Sequence, residues 1–280
     1  PGRRTVMGHR PQLTRLRSEF VSVLTDTHLR DRCGIVVGFS ERSGGVSLPP
    51  YASLNLAGHV GDDPLDVDEN RSRFVEALGL ALMRDRLVTA QQVHGEAVRE
   101  VTDAEAGFGA FAAKGQGPIA ASDVLVTLTP ETPLLMLYAD CVPIVLVCEA
   151  PRAVAVVHAG WRGALASLPE KAATELALRC GVEASSLLAY VGPHIHECCY
   201  AVDRKLLSQF VSKFGNICAV DTRLDLGVVV ARSLLAAGVI PEAMTGCDAC
   251  TFDHAERFFS YRASTVTGRH GALAAITKAE

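Results

Sequence analysis

Four short apolar runs follow one another between residues 123 and 157: Asp123-Val-Leu-Val-Thr127, Leu134 to Ala139, Ile144 to Val147 and Val154 to Val157. The breaks between them contain Thr129-Pro130, Cys141-Val142-Pro143 and Pro151-Arg152. Each run is too short for a helix, rich in branched aliphatic residues and bounded by turn formers, which is the signature of a buried strand. A chain with this block is committed to a β-sheet core. The same breaks deliver polar side chains to strand ends, Cys141 after the second run and His158 at the end of the fourth. His94 closes another run, Leu87-Val-Thr-Ala-Gln-Gln-Val-His94-Gly95. Three donors at equivalent junctions predict one site assembled from distant segments.

Around this block, Gly34 to Phe39 reads as a strand followed by a turn-rich loop, Ser40 to Tyr51, whose two glycines and two prolines fix its shape. Ser53 to Leu56 continues extended. Asp62-Asp63-Pro64 starts a helix with an acidic cap and a first-turn proline, running through Phe74 and Leu78 to Gly79. Val98 to Val101 is expected to pair with the strand ending at His94, and residues 104–120 form a long Gly/Ala-rich loop. One helix is expected from Gly163 to Cys180, closed by Gly181, then a strand from Leu187 to Val191. Helices follow at Arg204 to Phe214 and Leu224 to Ala237, and Phe258 to Ile276 reads as two short strands around Thr267-Gly268-Arg269. There is no regular βαβ alternation and no repeat, so the expected class is α+β. Residues 1–30 read as an extension or edge element, and residues 31–280 as a single domain.

Bulk properties exclude several functions. A net charge of −4 with 21% charged residues offers no footprint for nucleic acid or an anionic membrane. No apolar stretch reaches membrane-spanning length, and the polar, Arg-rich opening lacks the apolar core of a secretion signal. Nine irregularly spaced cysteines point to a reducing, cytoplasmic setting. Cys247-Asp-Ala-Cys250 has zinc-ribbon spacing, but no second such pair accompanies it, so free thiols are expected there. Oligomeric state is not legible.

His94, Cys141 and His158 would supply a His₂Cys set, which suits a catalytic zinc with one open position. Imidazole and thiolate suit copper equally, so residue type does not choose the metal. Without a metal the same atoms make a Cys141 nucleophile with His158 as its base.

The chain also resembles the YfiH-like, laccase-domain family. The resemblance rests on Gln92-Val93-His94-Gly95, Ala139-Asp140-Cys141 with Pro143, His158-Ala-Gly-Trp-Arg-Gly163, Gly192-Pro193 with Cys198-Cys199-Tyr200, and Phe258-Phe259-Ser260-Tyr261-Arg262. Earlier segments agree: Gly44-Gly45-Val46-Ser47, Pro50-Tyr51, Ser53 to Leu56 and His59 to Pro64. Two departures stand out, His194-Ile195-His196 before the paired cysteines and Asp253 where a second cysteine is expected after Cys250.

The resemblance implies a mixed α/β sandwich with central mixed sheets flanked by helices, and a zinc site at His94, Cys141 and His158. It further implies phosphorolysis of adenosine, inosine and methylthioadenosine, with deamination of adenosine. An older label for the family, polyphenol oxidase, implies copper, and a role on cell-wall precursors has been attached to bacterial members. A four-copper oxidase needs about ten histidines, largely in His-x-His pairs, whereas this chain has nine histidines and one such pair, His194 and His196.

For phosphorolysis, Arg42, Arg162 and Arg262 are candidate phosphate ligands because a guanidinium fork binds two oxygens at once. Asn55 is a candidate substrate contact, and Trp161 a candidate stacking surface. Asp140 is a candidate proton carrier or, since strand alternation turns it from Cys141, an anchor for a ligand histidine. A non-catalytic metal-binding or redox regulator would need only the metal site.

Overall fold

A computed structural model describes residues 10–278. The strands are β1 (Thr14–Arg17), β2 (Ser22–Thr25), β3 (Ile35–Ser40), β4 (Val88–Thr89), β5 (Val98–Glu100), β6 (Val124–Thr127) and β7 (Leu134–Tyr138). They continue with β8 (Val142–Glu149), β9 (Arg152–Ala159), β10 (Leu188–Val191), β11 (Ala219–Val220), β12 (Arg223–Leu224), β13 (Met244–Gly246) and β14 (His270–Ile276). The helices are α1 (Thr27–Cys33), α2 (Pro64–Ala77), α3 (Trp161–Leu165), α4 (Leu168–Cys180), α5 (Arg204–Phe214) and α6 (Leu226–Ala237).

Two mixed six-stranded sheets face each other, ordered β1-β2-β3-β14-β7-β4 and β13-β10-β8-β9-β6-β5, and β11 and β12 form a small separate ladder. Leu134, Met136 and Tyr138 of β7 join the core between the sheets with Ile144, Leu146, Val154 and Val156. Leu135 and Leu137 point the other way, into a second core with Phe74 and Val75 of α2. That alternation is the two-residue period of a strand. Beyond the second sheet, Leu168, Ala172 and Leu176 of α4 and Val229 and Leu234 of α6 complete the main core. Both sheets are therefore covered on both faces, which is why their strands read as continuous apolar runs.

The block from 123 to 157 forms β6 to β9, and β8 and β9 make a long hairpin with Pro143 opposite His158. Asp63 caps α2 by accepting from the Leu65 N–H, with Pro64 in its first turn. Asp203 caps α5 and Asp225 caps α6 in the same way.

Three expectations are corrected. The helix expected from Gly163 to Cys180 is two helices, because Ser167 turns left-handed (φ 59°) ahead of Pro169. Residues 98–100 pair with β6 in the second sheet, and the strand before His94 is only two residues long, pairing with β7 in the first. The C-terminal region holds one strand, β14, which inserts between β3 and β7; Phe258 to Ser264 is loop and turn, pinned by Arg257 on Glu41 and by the Asp140 contacts described below. Within the segment read as an extension or edge element, β1 and β2 extend the first sheet, and residues 1–9 lie outside the described residues.

Candidate metal and substrate site

Cys141 immediately precedes β8, and His158 is the penultimate residue of β9, so the hairpin register sets them side by side. Gly160, just past β9, keeps this corner open: a Cβ there would stand 2.8 Å from His94 Cδ2 and 3.1 Å from Cys141 Sγ. His94 arrives from a loop of the other sheet, turned by a left-handed residue conformation (φ 58°). Its Nε2 lies 3.7 Å from Cys141 Sγ, and its ring meets that of His158 edge-on at 4.8 Å. One donor atom from each of the three side chains lies within 4.8 Å of the others.

The group that organises this corner is Asp123, which sequence reasoning missed. It is fully buried at the start of β6. Its Oδ1 accepts from the His94 backbone N–H (3.0 Å) and from His158 Nδ1 (2.8 Å). Its Oδ2 accepts from the N–H groups of Val93 (3.2 Å) and Gly95 (2.7 Å). One carboxylate thus shapes the His94 loop and holds a proton on His158 Nδ1, so that Nε2 is the nitrogen of that ring left to face the site. Burial raises the Asp123 pKa, but the His158 bond and the backbone N–H donors outweigh it and hold the carboxylate below its ordinary value. The legible signal was an acidic residue opening an apolar run.

Burial likewise disfavours ionisation of the Cys141 thiol, yet the charge and hydrogen bonds of His158 and His94 bring it down to about 6. Burial lowers His158, while the Cys141 charge and the Asp123 bond overcome it and raise the ring to about 9. Between those values the two groups rest as a thiolate and an imidazolium. A soft anion, two imidazoles and an anchoring carboxylate form a donor set that a divalent ion can enter by displacing one proton.

The three donors line a cavity of about 510 Å³ together with His59, Gln92, Asp140, Trp161, Tyr200 and Tyr261. Arg162, Arg262 and Arg269 also line it, each lying on an aromatic ring: Trp161 at 4.4 Å, Tyr200 at 5.1 Å and Tyr261 at 5.7 Å. Such stacking holds guanidinium planes in place and leaves their edges for an anion. Arg269 stands next to the glycine turn before β14 and carried no sequence signal as a site residue.

Other expected site residues have different surroundings. Arg42 donates to the carbonyls of Ala52 and Ala255 over the Phe259 ring, and it is not among the cavity residues. Asn55 is buried, donating to Asp62 and accepting from the N–H groups of Ala57 and Arg269. Asp140 (φ 89°) accepts from Thr251 Oγ1 and the Arg262 N–H, both at 2.7 Å. It anchors the loops behind the cavity; the histidine anchor is Asp123. His194 donates Nδ1–H to the Gly192 carbonyl, and neither it nor His196 lines the cavity.

Fold and site together define a two-sheet α+β protein with a Cys/His₂ donor set opening into an arginine-lined cavity. The chain belongs to the multi-copper polyphenol oxidoreductase laccase family, whose profile matches residues 36–277. It is similar to purine nucleoside phosphorylase YfiH of Escherichia coli (strain K12), 34% identical over 84% of this chain and 91% of that protein. It is also similar to purine nucleoside phosphorylase YlmD of Geobacillus stearothermophilus, again 34% identical, over 84% of this chain and 88% of that one. The crystal structure of YlmD from Geobacillus stearothermophilus superposes with a TM-score of 0.84 at 30% identity, covering 96% of this chain and all of that one (100%). No helix among the described residues is long and apolar enough to cross a membrane.

Proposed function

We propose that this chain is a zinc-dependent purine nucleoside phosphorylase acting on adenosine, inosine and methylthioadenosine, with an adenosine deaminase activity at the same site. The observation that carries the reading is the convergence of three metal donors and three aromatic-backed arginines on one cavity. Its volume of about 510 Å³ falls in the range of small-molecule sites, roughly 300–1,000 Å³. The names of the related proteins support the same class.

Zinc would be held by His94, Cys141 and His158, and when bound it would supply Lewis acidity toward the substrate. All three donors border the cavity, which leaves a reactant access to the set. Asp123 keeps the proton on His158 Nδ1, so the ring presents its other nitrogen without reorientation. Arg162, Arg262 and Arg269 would bind phosphate and hold its charge beside the ribose. Trp161, Tyr200 and Tyr261 give flat faces against which a purine can stack.

The thiolate–imidazolium pair favours a second reading, a Cys-His hydrolase or deamidase on a cell-wall precursor, with Cys141 as nucleophile and His158 as the base that has taken its proton. A copper polyphenol oxidase is less well supported, because among the described residues no further histidine joins His94 and His158 in a donor group. A regulator without turnover would leave the arginine-lined cavity without a role.

Chromatography of the three nucleosides incubated with zinc-loaded protein, with and without phosphate, separates these readings. Base release that requires phosphate, inosine formed from adenosine, and loss of both in Cys141→Ala are expected. Activity that survives chelation and is blocked by alkylating Cys141 would favour the hydrolase; absence of both nucleoside products would end the nucleoside assignment.

A further inference from the structure

Away from the cavity triad, Cys198, Cys199, Cys250 and Asp253 bring one ligand atom each to within 4.8 Å of the others. We propose that these four side chains form a second, structural metal site for a soft divalent ion of the zinc class. It is independent of the proposed activity.

Two tight turns are clamped face to face there. In the first, the N–H groups of Cys199 and Tyr200 both donate to the His196 carbonyl at 3.0 Å, which projects the paired cysteines from one short bend. In the second, the His254 N–H donates to the Cys250 carbonyl at 3.0 Å, which brings Cys250 and Asp253 to the same side of a single turn. A bridge between His194 and Cys250, with the Thr251 N–H on the His194 carbonyl at 2.9 Å, holds the turns together. The cluster is therefore built by backbone contacts, before any ion is added.

The donor chemistry fits. Cys198 Sγ stands 3.1 Å from Asp253 Oδ2 and Cys199 Sγ 3.0 Å from Asp253 Oδ1, so both thiols donate to one carboxylate. The His196 backbone N–H donates to Cys250 Sγ at 3.4 Å, which ties that sulfur to the first turn. A tetrahedral zinc with metal–sulfur bonds of about 2.3 Å needs sulfurs roughly 3.8 Å apart, and the four ligand atoms here all lie within 4.8 Å of one another. Binding exchanges the thiol protons for metal–sulfur bonds and releases them to solvent, with no change of oxidation state. Three thiolates and a carboxylate form a closed set, which is the structural rather than the catalytic pattern.

The site also has a mechanical connection to the cavity. Thr251, next to Cys250, donates to Asp140, and Asp140 accepts the N–H of the cavity residue Arg262. An ion at the cluster would brace that wall.

The test uses the whole 280-residue chain, reduced, stripped of metal and titrated anaerobically with cobalt, then zinc. Two ions per chain are expected for the unmodified protein and one for Cys141→Ala, with an intense thiolate-to-cobalt charge-transfer band persisting in that variant. Cys198 and Asp253 are exposed, so Cys198→Ser and Asp253→Asn should fold; each should weaken the remaining ion at least tenfold and reduce the band. One ion that survives Cys141→Ala but is lost in Cys198→Ser would support this site even if the cavity triad fails to bind. The proposal is overturned if Cys141→Ala binds no ion, or if Cys198→Ser leaves the thiolate band unchanged.

Discussion

Replacing Asp123 by asparagine preserves side-chain shape while removing the charge and half of the acceptor capacity. The carboxylate has two donors on each oxygen: the His94 N–H and His158 Nδ1 on one, the Val93 and Gly95 N–H groups on the other. An amide has one oxygen. If it replaces Oδ1, its NH₂ faces the Val93 and Gly95 N–H groups, and two partly buried donors lose their acceptor at up to about 1–3 kcal/mol each. The opposite flip keeps those two and releases both histidine contacts. Either way the Asp123→Asn protein should lose about 2–6 kcal/mol, a large share of a typical total of roughly 5–15 kcal/mol. Loss of an orienting partner behind a metal ligand should also weaken zinc binding by about 10–100-fold. Urea denaturation of the metal-free protein reads the first quantity, and competition against a chelator at neutral pH reads the second. A stability change under about 1 kcal/mol together with unchanged zinc affinity would refute the argument that Asp123 sets up the site.

Gly160→Ala keeps an allowed backbone, since φ is −73°, but its methyl meets the His94 ring and the Cys141 sulfur at 2.8 and 3.1 Å. Zinc affinity should fall at least about tenfold, equivalent to about 1.4 kcal/mol, with little change in melting temperature; an unaffected affinity by chelator competition would contradict the packing. Because Cys141 is ionised above about 6 and His158 keeps its proton up to about 9, zinc must displace one proton in that window. Affinity should therefore rise by about tenfold per pH unit and then level off, with about one proton released per ion in calorimetry across buffers. Burial holds His194 and His270 down to about 4 and about 3 in the folded protein, whereas unfolded imidazoles protonate near their ordinary value of 6.5. The unfolded state then binds more protons, so stability should fall as pH drops below 6.5, by up to about 2.7 kcal/mol per unit if both contribute; flat urea midpoints would count against it. Arg269→Gln should raise the KM for phosphate about tenfold with little effect on the nucleoside KM, whereas Arg42→Gln should lower stability and leave phosphate KM alone.

The strands β6 to β9 were legible because both of their faces are buried, which removes polar alternation and leaves uniform apolar runs. The start of α2 was legible because Asp63 and Pro64 solve a local problem, the unpaired N–H groups of a first turn. Partnership between strands was not. Residues 98–100 lie close in sequence to β4, yet they join the other sheet, and β14 completes the first sheet from the far end of the chain. Arg42 and Asn55 looked like ligands by residue type and became loop braces, because buried backbone carbonyls and N–H groups needed partners there.

Read alone, the sequence determined which side chains carry soft or basic donors and which runs must be buried, because residue chemistry and short-range periodicity are local properties. Only the tertiary structure decided that Asp123 ties His94 to His158, that Arg269 shares a cavity with Arg162, and that Asp253 closes on three cysteines. Those meetings depend on hairpin register, on a left-handed turn at His94 and on two sheets facing each other. They are set by long-range packing, which leaves no periodic trace in the chain.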